Sequence, residues 1–201
     1  MKLLIISGTP KTDGITRLMV VAAREAAVAV GVDAEIIELA ALKLQACRTC
    51  ADGWGACYPT HLCEHGQADG FNALQEKFRD AAAYVFITPV YWGEVSEALK
   101  HFLDRLRRCQ ATKQWDKKEG TGPSYLKGKP SILVANAGGG GGGIVSCFEQ
   151  MERALQHMGA DANPRNKAGI FDYIAVNRWN HEYKRETVKH AVAAMVKGIS
   201  V

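Results

Sequence analysis

A chain of 201 residues, 47% hydrophobic with a net charge of +4, holds enough apolar material for a full core without disulfide staples. Its 25 basic and 21 acidic residues leave too small an excess to bind nucleic acid through bulk charge, though they suit small anionic ligands. No apolar run approaches the roughly 20 residues of a membrane span and no secretory leader is read, so the six cysteines are expected in a reducing cytoplasm, where clustered thiols point to metal or redox chemistry.

Lys2–Ile6 is a short apolar strand that breaks into Ser7-Gly8-Thr9-Pro10-Lys11-Thr12-Asp13-Gly14. A helical pattern then runs from about Thr16 to Val30, with Leu18, Val21, Ala22 and Ala26 on one face and Gly31 as its stop. Backbone N–H groups at such a helix start lack intrahelical partners and point at whatever sits in the loop. Thr9, Thr12 and Thr16 add hydroxyl donors, Lys11 adds charge, and Gly8 and Gly14 let the backbone come close. The stretch reads as a phosphate cradle; the plainer alternative is an ordinary strand–helix turn.

Ala34–Leu39 is a second candidate strand, after which the pattern dissolves. Leu44–Gly70 shows no sustained period and reads as a Cys-rich insertion with four cysteines and two histidines. A helix beginning at Asp69 or Gly70 puts Phe71, Leu74, Phe78 and Ala82 on one face, and Ala83–Thr88 is a strand apolar on both faces, ended by Pro89. The next helix places Leu99, Phe102, Leu103 and Leu106 on its core side, with Lys100, Asp104, Arg105, Arg107 and Arg108 facing elsewhere. Gln110–Lys129 reads as a polar surface excursion and Ser131–Ala135 as a buried strand running into six glycines, Gly138–Gly143. A helix with Phe148, Met151, Leu155 and Met158 on one side, a strand at Gly169–Val176 and a helix at Glu182–Lys197 complete the chain. Five strand–helix alternations imply one α/β domain over residues 1–201, a parallel sheet with helices on both faces.

In such a sheet the ligand lies beyond the carboxyl ends of the strands. Three loops leaving that edge are unusual: Ser7–Gly14, Thr88–Gly93 and Asn136–Gly143. Tyr91 and Trp92 in the second suit a flat heterocycle, although an adjacent aromatic pair is more often core cover. The third offers backbone N–H groups to the edge of a ring. A phosphate at one end and a planar ring at the other describe FMN. Gly138, Gly140 and Gly143 formally fit the dinucleotide pattern G-x-G-x-x-G, but a hexaglycine fits it by accident, and Asp161 has no clear strand before it.

The opening I-S-G-T-P-K-T-D-G-I-T-R together with T-P-V-Y-W-G-E-V-S-E-A-L-K-H-F-L-D-R-L resembles the NADPH-dependent FMN reductase family, over most of residues 1–160. Within it, the cysteine-bearing stretch is similar to the iron–sulfur flavoproteins. The resemblance implies a flavodoxin-like three-layer fold, a five-stranded sheet of order 2-1-3-4-5, bound FMN, and a homodimer or homotetramer. It implies that Thr9, Lys11 and Thr16, with the loop residues Asp13, Gly14 and Ile15, bind the FMN phosphate. Pro89, Val90, Tyr91, Trp92 and Gly93 would hold the ring, and Ala137, Gly138 and Gly139 would close its far edge. Ile15 departs from the family, which often has Asn there, so a side-chain donor is missing and the phosphate leans on backbone and Lys11.

Cys47, Cys50, Cys57 and Cys63 form C-x2-C-x6-C-x5-C, the ligand count of a [4Fe–4S] cluster or a structural zinc. The resemblance implies a tighter C-x2-C-x2-C before the fourth cysteine; here the middle interval is four residues longer. His61 and His65 would allow a mixed Cys/His zinc site, and unliganded thiols near the flavin are the third reading. Cys109 and Cys147 read as core or surface thiols. The functional expectation is an FMN-dependent NAD(P)H oxidoreductase passing electrons to a quinone, flavin or other small acceptor, with no catalytic side chain. Arg105, Arg107, Arg108 and Lys113 are candidates for the nicotinamide cofactor's phosphates, or else a solvated basic face. The alternatives are an electron carrier linking FMN, a [4Fe–4S] cluster and a partner protein, and a regulatory flavin module with a zinc loop.

Overall fold

The structure, a computed structural model, describes residues 1–53, 55–111, 123–159, 170–176 and 180–199. The strands are β1 (Lys2–Ser7), β2 (Asp33–Glu38), β3 (Ala83–Pro89), β4 (Ser131–Asn136) and β5 (Ile170–Val176). The helices are α1 (Ile15–Ala29), α2 (Leu39–Leu42), α3 (Cys57–Thr60), α4 (Phe71–Asp80), α5 (Glu97–Cys109), α6 (Ile144–His157) and α7 (His181–Ile199). All seven residues of β3 are buried, and so are five of six in β1 and in β4. Apolar strands of this kind exist only where helices cover both faces, and such helices come from crossovers between parallel strands. The sheet is parallel throughout, ordered β2-β1-β3-β4-β5, with a register shift between β4 and β5 at Ser131/Ile132.

Alternation along each strand sorts the core into two layers. Leu4, Ile6, Tyr84, Phe86, Leu133 and Ala135 pack toward α4, α5 and α6, where Phe71, Phe78, Phe102 and Leu155 meet them. Leu3, Ile5, Val85, Ile87, Ile132 and Val134 pack toward α1 and α7, against Met19, Val20, Ala23, Val188 and Met195. Parallel register brings Ser7 beside Ile87 and Pro89 beside Asn136, so the loops after β1, β3 and β4 emerge together.

Three expectations need correction. In α1 the buried stripe is Thr16, Met19, Val20, Ala22, Ala23, Ala26 and Ala27; Ala22 and Ala26 lie on the core face as expected, while Leu18 and Val21 face outward. An alanine-rich helix offers little contrast between its faces, so the larger residues misled the reading. Arg105 does not face away from the core: it is 2% exposed and ion-paired to Asp69. Nor is Gln110–Lys129 a surface excursion at its ends. Gln110 is fully buried, its amide donating to Gln75 Oε1 at 2.9 Å while its oxygen accepts from the Tyr125 N–H at 2.8 Å, and Leu126 is buried in the core. Lys113, Asp161 and Gly169 lie outside the described residues. Among those described, no helix is long and apolar enough to cross a membrane.

Candidate functional site at the sheet edge

The loop after β1 is held by the Gly8 N–H donating to Ile87 O at 2.8 Å. A Cβ on Gly8 would stand 2.9 Å from Ser96 Oγ and 3.3 Å from Ile87 O, so only glycine lets the loop lie flat against β3 and α5. The two nearby helix starts are built differently. At α5, Ser96 Oγ accepts from the Leu99 N–H at 3.3 Å, Glu97 stands in the first turn, and Arg107 and Arg108 stand in the last. That is a satisfied cap with charges matched to the helix dipole. At α1, Gly14 takes φ 87 and ψ 179, a positive-φ conformation suited to glycine, no side chain caps the turn, and no acidic residue occupies it. Its first amides and partial positive charge are therefore available to an anion.

The hydroxyls are arranged to help. Thr9 Oγ1 accepts from the Lys11 N–H at 3.2 Å, and Thr16 Oγ1 accepts from Asn136 Nδ2 at 2.9 Å. Each hydroxyl therefore keeps its single hydrogen for another acceptor. Ser7 Oγ and Asn136 Oδ1, at the ends of β1 and β4, are buried and have no protein partner. Orphaned buried polar atoms are rare, and these two sit where a ligand's polar groups would enter. Asn136 opens the third site loop, from which the sequence leads one to expect backbone donors alone; its side-chain bond to Thr16 is what the structure adds.

Tyr91 and Glu94 exchange both backbone hydrogen bonds, at 2.9 and 3.0 Å, closing a two-residue turn on Trp92 (φ 52) and Gly93 (φ 84). The left-handed region costs a tryptophan roughly 1–2 kcal/mol, and such strain concentrates at functional sites. Trp92 is 103% exposed and Tyr91 46%, so neither is core cover. The turn is pinned by Ser146 Oγ, which donates to Gly93 O at 2.7 Å. Backbone meets backbone there, for a Cβ on Gly143 would come within 2.5 Å of Gly93 Cα. Ala137 is buried, whereas Gly138 and Gly139 are exposed with open space around them. A groove of about 600 Å³ opens beside these loops, lined by Gly8, Pro10, Tyr91, Ser96, His101 and the segment Lys43–Ala46. Its size is that of a cofactor or substrate site. A larger groove of about 810 Å³ between α1 and α7 does not include these loops.

Gln45 and Ala46 line the groove and also wall a second, enclosed pocket. Cys47, Cys50, Cys57 and Cys63 all line that pocket, and so does Cys109 from the end of α5. Cys47, Cys50, Cys57 and Cys63 are partly buried and Cys109 is fully buried. Arg105 Nη2 donates to Cys63 Sγ at 3.3 Å, and Arg108 Nη1 donates to Gly53 O at 2.7 Å. These arginines hold the pocket together and are not free for nicotinamide phosphates, while Arg107 pairs with Asp104 on its own helix. Burial pushes the Asp69 carboxyl up, but bonds from Arg105 and from the Gln45 and Phe71 amides hold it below its ordinary value. A hydrogen bond from Cys109, with Arg108 nearby, pulls the Cys57 thiol down to about 7, and the Cys109 thiol is pushed up in return.

Five sulfurs about one pocket are a donor set for a thiophilic metal. A tetrahedral four-thiolate zinc would hold its sulfurs about 3.8 Å apart, given Zn–S bonds of about 2.3 Å. No three thiols gather within 4.8 Å, whereas Cys50, Glu64 and His65 do. His61 is drawn away, its Nδ1 lying 2.7 Å from the Cys109 carbonyl and its ring against Tyr125.

Over 111 residues, 53% of its length, the chain is 33% identical to an iron–sulfur flavoprotein of Methanocaldococcus jannaschii. The match covers 52% of that protein, so the chain spans about half the length of this curated relative. In three dimensions 99% of the chain superposes on the whole of an FMN-dependent NADH-azoreductase from Bacillus anthracis str. Ames Ancestor, solved in complex with FMN (TM-score 0.65, 14% identity). All of it superposes on the whole of a flavodoxin from the domain Archaea (TM-score 0.60, 11% identity), so the fold is flavodoxin-like. The family model described as NADPH-dependent FMN reductase matches residues 1–169, and with most of its length so matched the chain belongs to that family.

Proposed function

We propose that the chain binds FMN at the sheet edge and acts as an NAD(P)H oxidoreductase, passing electrons to a quinone, a flavin or another small acceptor. The observation that carries this reading is the uncapped start of α1, where Thr9 and Thr16 each accept one bond and keep a hydrogen for an anion. Lys11, Asp13, Gly14 and Ile15 complete the phosphate loop; Ile15 contributes backbone alone, so the charge there comes from Lys11. Pro89, Val90, Tyr91, Trp92 and Gly93 would carry one side of the ring, and Ala137, Gly138 and Gly139 its far edge. The buried Ser7 Oγ and Asn136 Oδ1 would gain partners on binding. FMN, when bound, supplies the hydride and electron chemistry; the chain orients its ring and limits water around it. His101 and Lys43 face the adjoining groove, where a nicotinamide cofactor or acceptor would enter. A homodimer or homotetramer belongs to the same reading.

The visible spectrum of the purified protein tests it. Flavin bands, with NAD(P)H oxidation in the presence of a quinone, are expected. A colourless protein that takes up no added FMN would overturn the central claim. The wall shared by groove and thiol pocket supports a second reading, an electron carrier in which Cys47, Cys50, Cys57 and Cys63 hold a [4Fe–4S] cluster beside the flavin. Iron and sulfide in anaerobically purified protein, with slow NAD(P)H oxidation, would favour the carrier.

A further inference from the structure

The sequence offers four loop cysteines for the pocket, but the fold delivers a fifth. Cys109 closes α5, forty-six positions beyond Cys63, and is 1% exposed at the inner wall of the pocket. Its side chain lines the same pocket as those of Cys57 and Cys63. The same helix supplies Arg105, which donates to the Cys63 sulfur, so α5 brings both a thiol and a cation to one place. The loop cysteines, by contrast, are partly exposed and hang on a segment whose middle interval is long. A loop gains a fixed geometry most readily by tying itself to a rigid element, because ligands set on helices and strands are held more closely than ligands on loops.

We propose that Cys109 is a member of the metal-binding thiol set, supplying a thiolate from inside the fold that anchors the cysteine loop to α5. The proposal rests on the reading of the pocket as a metal site. Cys147, the other fully buried cysteine, lies on the core side of α6, does not line the pocket, and serves as the internal control.

The full chain is purified anaerobically and offered ferrous iron with sulfide, and separately zinc. Metal and sulfide per chain and the visible absorbance are read after gel filtration for the native protein, Cys109→Ala and Cys147→Ala. Retained iron should fall by roughly tenfold or more in Cys109→Ala, the scale on which a metal site responds to loss of its support, and should be unchanged in Cys147→Ala. If the alanine variant fails to fold, Cys109→Ser, nearly equal in size, carries the test, with lowered iron or a displaced absorbance band expected. Full iron, sulfide and an unaltered spectrum in Cys109→Ala would overturn the role of Cys109 alone. A native protein that retains neither iron nor zinc would overturn the metal reading and this proposal together. One zinc per chain held equally well without Cys109 would overturn it in favour of the Cys50, Glu64 and His65 group.

Discussion

The open sheet edge and the enclosed thiol pocket share Gln45 and Ala46 but are made of different material. The edge is mostly backbone: an uncapped helix start, a two-residue turn with two positive φ values, and a glycine run with space around it. The pocket is mostly side chain, five thiols and two arginines converging from a loop and one helix. A backbone site is fixed by topology, since every parallel strand ends there, and its side chains adjust affinity. A side-chain site exists only while distant segments stay packed, so it should fail together with local stability.

Arg105→Ala should separate the two most sharply. It leaves the buried Asp69 without its counter-ion and takes a donor from the Cys63 sulfur, at a cost of about 3–5 kcal/mol in urea unfolding, with loss of metal retention but with flavin still bound by whatever remains folded. A cost below about 1 kcal/mol would mean that the pair is not structural. The pair also sets an acid limb. The Asp69 carboxyl is held below its ordinary value, so its stabilisation is complete above the unfolded carboxylate pKa near 4 and is lost as pH falls through the lower folded value. That limb should shrink in the stability profile of Arg105→Ala, where only the Gln45 and Phe71 amides still favour the Asp69 carboxylate.

Gly8→Ala attacks the edge instead. The added methyl meets Ser96 Oγ, Leu99 Cβ and Ile87 O, and about 1–3 kcal/mol of overpacking should come with displaced, flavin-poor protein. Normal flavin content would show that the loop has slack. Lys11→Ala removes a charge and no packing, and should weaken FMN about tenfold at constant melting temperature. Equilibrium dialysis showing unchanged affinity would mean that the wrong cation is assigned. Trp92→Gly should relieve the left-handed strain and stabilise the fold by about 1 kcal/mol while weakening binding of the ring or acceptor. A gain in both would mean that the indole serves neither.

Much of the edge was legible because it depends on local order. Leu3–Ile6 and Ala83–Ile87 carry no charged residue and are buried throughout, a pattern that commits them to a doubly covered sheet whatever their neighbours do. Thr9, Thr16 and the turn Tyr91–Gly93 then follow from where such strands must stop. The pocket was legible only in part. Cys47–Cys63 announced thiol chemistry by spacing, but nothing within that loop pointed to α5. Phe102, Arg105, Leu106 and Cys109 do fall at i, i+3, i+4 and i+7, a buried stripe visible in the sequence. It was obscured because a charged residue inside a stripe is ordinarily read as its edge.

What the order of amino acids settled unaided was therefore where the five strands and the long helices lie, though not the short α2 and α3, since a sustained pattern depends on neighbours a few positions away. Folding alone decided that Arg105 faces inward to Asp69, that Cys109 joins the loop thiols, and that Trp92 stands free in solvent. Each of those outcomes depends on contacts between segments far apart in the chain, and even where periodicity marks a buried face, as on α5, it does not name the partner that covers it.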